Sequence, residues 1–199
     1  MTTDTQTNWA GNYTYSAARW HRPATLDELQ DLVARTPRLR VVGTRRGGAP
    51  LPGLAEVLPP ERTEEVLARS DFVLLLLPAT PETENFMDAG RLGRMRPGAW
   101  LLNFGRGQLV KDDDLVAAVR SGRIAGAVLD VFRQEPLPED HPFWTTEGIM
   151  VLPHIGGLHP RRDEIVAELF ADNLARFLDG RPLREAVDRR RGYCSRTPP

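Results

Sequence analysis

Apolar positions along this chain fall into two rhythms, and the rhythms alternate. Thr25 and Glu28 form a capping box at the head of a helical pattern that places Leu26, Leu29, Leu32 and Val33 on one face. Ser16–His21 before it reads as a short strand closed by Pro23, and Arg38–Gly43 after it as another. A Gly/Pro-rich loop follows, then a short helix over Glu61–Arg69 and an apolar run over Asp71–Leu77. That run is apolar at consecutive positions, which predicts a strand covered on both faces, as in a parallel sheet. Downstream the pattern predicts short helical pieces over Glu82–Leu92, strands over Ala99–Asn103 and Ile124–Val131, and a helix over Lys111–Ser121 between them. A strand over Ile149–Leu152 and a long amphipathic helix over Arg161–Leu178, ended by Gly180 and Pro182, complete the series. Strands alternating with helices predict an α/β, Rossmann-like, doubly wound parallel sheet.

Composition changes this picture little. The 199 residues suffice for one sizeable core, and 41% hydrophobic with 27% charged residues is ordinary for a soluble protein. A net charge of −1 gives no reason to expect nucleic acid or an anionic membrane as a partner. The longest apolar run, Phe72–Pro78, is too short to span a bilayer. The opening MTTDTQTNWAGN has neither the basic nor the apolar region of a signal peptide, so a cytoplasmic location is expected. Cys194 is the single cysteine, which leaves no internal disulfide and no cysteine metal cluster, and no metal-ligand spacing occurs elsewhere.

In an open parallel sheet, ligands bind beyond the carboxyl ends of the strands. Four such ends collect chemistry: Pro78 to Thr80, Asn103 to Arg106, Asp130 with Glu135 just beyond, and His154 to Gly157. An arginine offers a fork for a substrate carboxylate. A carboxylate beside a histidine favours the protonated imidazole and makes it a general acid near neutral pH. Each residue also has a plainer reading: Arg106 in a surface ion pair, Glu135 capping a turn, His154 as a satisfied structural histidine. His21, His141 and His159 stand beside proline or arginine in polar loops and are expected in solvent. The Asp112–Asp114 run is expected to cap a helix beginning near Leu115.

The segments LLLLPATPET, MRPGAWLLNFGRGQLV, GRIAGAVLDVFRQEPLPEDHPFW and LPHIGG occur in this order. In them the chain, from about Gly43 to Tyr193, resembles the D-isomer-specific 2-hydroxyacid dehydrogenases, especially the glyoxylate/hydroxypyruvate reductase branch. The resemblance implies a carboxylate-binding role for Arg106, a proton donor in His154 and its partner in Glu135. It implies that Asp130 meets the nicotinamide carboxamide and that Pro78, Thr80, Asn103 and Gly157 lie along the cofactor. It further implies a small 2-oxo or 2-hydroxy acid as substrate, a homodimer, and packing rather than catalysis for Trp144.

That family carries Gly-x-Gly-x-x-Gly on its first strand–helix turn, and this sequence has no such motif. Nor is the family's substrate domain recognisable, so impaired turnover is expected. Residues 7–45, beginning TNWAGN, resemble instead the start of FAD-dependent alditol oxidases, which implies a fusion with its join near VVGTR. In those oxidases His-Ser-Phe follows the Gly-Thr-Arg; here Arg46, Gly47 and Gly48 stand there, which argues against FAD. The expected division is an oxidase-like segment over 1–45 that supplies a strand–helix–strand, a dehydrogenase-type domain over 46–180 and a polar tail over 181–199. Arg45 and Arg46 end a strand where an acidic residue would hold the ribose of NAD, and arginine there favours NADP. Two solvated turn arginines are the plainer alternative.

Overall fold

The computed structural model describes residues 40–46 and 48–189, with the backbone of the pairs Gln6–Thr7, Thr14–Tyr15 and Tyr193–Cys194. The expected strand at Ser16–His21 and the capping-box helix after it lie outside these residues, as does His21.

Strands β1 (Val42–Thr44) and β2 (Glu56–Leu58) pair in parallel, Val42 opposite Glu56. Strands β3 (Phe72–Leu75), β4 (Trp100–Asn103), β5 (Gly126–Leu129) and β6 (Ile149–Val151) form a second, wholly parallel sheet in that order. Their registers are Phe72 to Trp100, Trp100 to Gly126 and Ala127 to Ile149. Parallel neighbours require crossovers. Helix α1 (Thr63–Arg69) precedes β3, α2 (Ala89–Arg94) joins β3 to β4, and α3 (Asp112–Arg120) joins β4 to β5. Helix α4 (Arg162–Leu178) follows β6. The Rossmann-like parallel sheet read from the sequence is thus the fold observed.

The core lies where α1 to α3 meet one face of the four-stranded sheet. Leu67, Leu92, Leu115 and Val119 from the helices bury against Val73, Leu75, Leu101, Leu129 and Ile149. Apolar side chains at this spacing gain roughly 1.5–3 kcal/mol each on full burial, which is what fixes the helices to the sheet. The other face is protected unevenly. At its centre the Trp100 ring lies over Gly126, where a Cβ would come within 2.6 Å of the indole. At the β3 edge Phe72, Leu74 and Leu76 are exposed. The expectation that Asp71–Leu77 is covered on both faces is therefore not met among the described residues. β3 alternates exposed and buried positions instead.

Two smaller differences have local causes. The Asp112–Asp114 run does not precede α3 but forms its first turn, after Lys111 as N-cap. There the carboxylates favour the helix dipole, and Asp114 accepts a hydrogen bond from the Ala89 N–H at the start of α2 (2.8 Å). His141 is not in open solvent. Its Nδ1 accepts from the Phe143 N–H, its ring meets the Phe143 ring edge-on at 4.4 Å, and Nε2 lies 3.5 Å from Asp112. No helix among the described residues is long and apolar enough to cross a membrane.

Candidate active site

The loops after β3, β4, β5 and β6 leave the same edge of the sheet, because all four strands run in one direction. After β6 the chain turns sharply. His154 adopts φ +54°, a left-handed conformation that costs an L-residue with a Cβ about 1–2 kcal/mol. Asp130, at the end of β5 and fully buried, holds this turn. Its two carboxylate oxygens accept from the Ile155 N–H (2.9 Å) and the Gly156 N–H (2.7 Å). Gly156 is required here, since a Cβ would come within 2.5 Å of the Phe104 ring and 2.9 Å of Asp130. A Cβ on Gly157 would meet nothing.

The turn delivers His154 to Glu135. The His154 Nδ1 lies 2.8 Å from Glu135 Oε2, while Glu135 Oε1 accepts from the Phe132 N–H (2.9 Å). The Glu135 contact occupies Nδ1 and leaves Nε2 outside the pair. Burial pushes the Glu135 carboxyl up, but the Phe132 N–H, His154 and the more distant Arg106 outweigh it and hold the group below the ordinary value. The imidazole is half exposed.

Arg106 stands on the neighbouring loop. Asn103, at the end of β4, is buried and closes this loop from both sides: Oδ1 accepts from the Gly105 N–H (3.1 Å) and Nδ2 donates to the Arg106 carbonyl (3.0 Å). The Arg106 Nη1 donates to the Gly105 carbonyl (2.7 Å), and the rest of the guanidinium projects from an exposed residue. Gly107 lets this loop lie against the next one, for a Cβ there would sit 1.9 Å from the Phe132 carbonyl carbon.

At the β3 end, Thr80 is buried in a turn. Its N–H donates to the Thr83 hydroxyl (2.8 Å), which in turn donates to the Pro78 carbonyl (2.7 Å). A hydrogen bond from Thr80, the Glu82 backbone N–H and the charge of Arg46 together hold Glu82 below the ordinary carboxylate value. Arg46, beyond β1, therefore faces the Thr80 loop, and Arg45 is tied by its N–H to the Leu58 carbonyl (3.0 Å) with an exposed side chain. Trp144 donates its ring N–H to the Pro138 carbonyl (2.8 Å) and packs against the core, as its expected packing role requires.

So the structure brings Arg106, Glu135 and His154 to one edge, with Asp130 beneath them. Sequence reasoning missed Gly107 and Gly156, which matter through what their missing Cβ would strike. Only the doubled Gly156-Gly157 offered a signal. Among the described residues no cluster of His, Cys, Asp and Glu is arranged to hold a metal.

Four parallel strands joined through helices, with polar side chains gathered beyond their carboxyl ends, define a Rossmann-like α/β domain. The family model described as D-isomer specific 2-hydroxyacid dehydrogenase, NAD binding domain, matches residues 37–156, and the chain belongs to this family. It is similar to an NADPH-dependent glyoxylate/hydroxypyruvate reductase of Sinorhizobium meliloti solved with NADP and sulfate. Identity is 30%, with 84% of this chain and 53% of that one covered and a TM-score of 0.73. It is also similar to a D-isomer specific 2-hydroxyacid dehydrogenase of Xanthobacter autotrophicus Py2 solved with NADPH and MES. There identity is 39%, 77% and 48% of the two chains are covered, and the TM-score is 0.70. An uncharacterized protein of the proB 3' region of Corynebacterium melassecola is 37% identical over 155 residues, which are 78% of this chain and 51% of that one. The chain thus spans about half the length of these relatives.

Proposed function

We propose that this chain reduces a small 2-oxo acid of the glyoxylate or hydroxypyruvate kind with NADPH, at the edge built by Arg106, Glu135 and His154. The observation that carries this is the His154–Glu135 pair, 2.8 Å apart, held by Asp130 beside an exposed arginine.

The residues present fit the nicotinamide half of the cofactor. Asp130 accepts two N–H groups and, as a carboxylate, has lone pairs left for a carboxamide, and Gly157 leaves open space beside it. Pro78, Thr80 and Asn103 line the route from there. Arg45 and Arg46 suit the 2′-phosphate of NADP at the far end, and relatives solved with NADP or NADPH support that preference over NAD. For the pyrophosphate the sequence offers no Gly-x-Gly-x-x-Gly, so affinity below that of the relatives is expected.

When bound, the reduced nicotinamide supplies hydride to the substrate carbonyl carbon. Arg106 binds the substrate carboxylate and orients the carbonyl. His154 Nε2 gives its proton to the carbonyl oxygen as negative charge develops there. Glu135, 2.8 Å from Nδ1, holds the imidazole in place and leaves Nε2 for the proton transfer. Asp130 keeps His154 in its left-handed turn.

Quenching of protein fluorescence by NADPH tests binding, and turnover with glyoxylate or hydroxypyruvate tests catalysis. His154→Ala should lower kcat by about 10²–10⁴ with NADPH binding retained, and Arg106→Ala should raise KM. Absence of any response at millimolar NADPH would sink the proposal.

The second reading is a homodimer whose chemistry has lapsed. It is favoured by α4, which exposes Ile165, Phe170, Leu174 and Phe177. A monomer in sedimentation at micromolar concentration would remove it. A flavin oxidase is the third reading, resting on the resemblance of residues 7–45 alone; a colourless purified protein would dispose of it.

A further inference from the structure

Two residues before Glu135, on the same loop, stands Arg133, and its guanidinium gathers three loops of the site edge. Nε and Nη2 both donate to the Val110 carbonyl, at 3.0 and 2.6 Å, and Nη2 donates to the Gln108 carbonyl at 3.1 Å. Those carbonyls belong to the loop that carries Arg106. Nη1 donates to Glu84 (2.7 Å) and Nη2 to the Asn85 side chain, both on the segment that follows the Thr80 turn. The Asp112 carboxylate, at the head of α3, lies 3.5 Å from Nε. Asn85 is itself in a left-handed conformation (φ +53°), and its N–H donates to the Gln108 carbonyl (2.8 Å). Beneath the guanidinium, the Phe132–Arg133 backbone lies against Gly107, the residue after Arg106.

We propose that Arg133 is a positioning residue. It fixes the Glu135 loop against the Arg106 loop, so that the arginine and the imidazole on Glu135 address one substrate at once. The proposal rests on the reading of Arg106, Glu135 and His154 as the reactive set. A planar fork with five donors suits this task. A lysine ammonium has three donors at one point and cannot reach acceptors on both sides. Misplacement of a reacting group by about 1 Å costs on the order of a hundredfold in rate, which sets the scale of the effect.

The test uses the whole 199-residue chain with Arg133→Gln, Arg133→Lys and, should the first fail to fold, Asn85→Ala. Asn85→Ala removes one acceptor outside the Arg106 and Glu135 loops. In Arg133→Gln, kcat for hydroxypyruvate should fall about a hundredfold while NADPH still quenches fluorescence. Arg133→Lys should recover part of the loss, and Asn85→Ala should show a smaller loss of the same kind. A readout without turnover is the carbon-13 titration of the Glu135 side-chain carboxyl. It should move toward the ordinary carboxylate value in each variant as the Phe132–Glu135 hydrogen bond loosens. The proposal is overturned if that titration stays at its wild-type position in the folded variants, or if kcat and NADPH binding fall in parallel. Lack of turnover in the wild-type chain would instead count against the functional reading, and the Glu135 titration would still decide the role of Arg133.

Discussion

Helices α3 and α4 show the same sequence rhythm and meet opposite fates. Over its 9 residues α3 buries Leu115, Val116, Ala118 and Val119 against α2 and the sheet. Over 17 residues α4 buries none, and Phe170 and Phe177 are 68% and 71% exposed. Periodicity says which residues share a helix face; it does not say what lies opposite that face. α3 lies between two strands that pair with each other, so its placement is dictated by the crossover. α4 follows the last strand of the sheet, and no such closure constrains it.

The sharpest test of this contrast is a pair of truncations followed by urea unfolding. Leu115→Ala should cost about 3 kcal/mol, the sum of lost transfer energy and a cavity that α2 and the sheet cannot close. Phe170→Ala should cost less than about 0.5 kcal/mol, as for other exposed positions. A cost at Phe170 equal to that at Leu115 would show that α4 is covered in solution and would erase the contrast.

The same contrast of packed and open positions recurs one residue apart in the turn after β6. Gly156→Ala forces a Cβ into the Phe104 ring and the Asp130 carboxylate, an overpacking worth about 1–3 kcal/mol. Gly157→Ala meets open space and should leave the melting temperature where it is. Equal effects at the two glycines would mean that the Asp130 anchor does not hold the turn.

These cases also show what was legible beforehand. The strands of the larger sheet announce themselves as apolar runs between turn residues, and their carboxyl ends led to Arg106, Glu135 and His154. β2 went unread because three residues, Glu56–Leu58, sit between Gly53 and Pro59. They become a strand only through pairing with β1. Of the expected Arg38–Gly43 strand, residues 38 and 39 lie outside the described residues, and among the described ones β1 takes up Val42–Thr44, paired with β2. The family resemblance makes Asp130 a cofactor ligand; its hold on Ile155 and Gly156 is not visible in the sequence, because those N–H groups lie on the next strand's loop. Arg133 was hidden for the same reason: its partners Glu84 and Val110 are 49 and 23 positions away.

The smallest effect separates two acids near the site by the sign of their response to pH. Glu135 is held below its ordinary value near 4.5. Its contribution to stability is therefore present above that value and is lost as pH falls through the lowered folded one. Asp112 behaves oppositely. Burial raises its carboxyl above the ordinary 3.8, and the Arg133 and His141 charges offset this only in part. Asp112 thus costs stability while ionised, and the cost disappears as pH falls through its raised value. Between about pH 5 and pH 3, wild type should lose stability relative to Glu135→Gln and gain it relative to Asp112→Asn. The Glu135 arm should stay below about 1 kcal/mol, because the Glu135–His154 pair is partly exposed and water screens it. Urea midpoints measured across that range decide the matter. If both variants shift in the same direction, the carboxylate on the open edge and the one beneath Arg133 do not differ in the way their surroundings require.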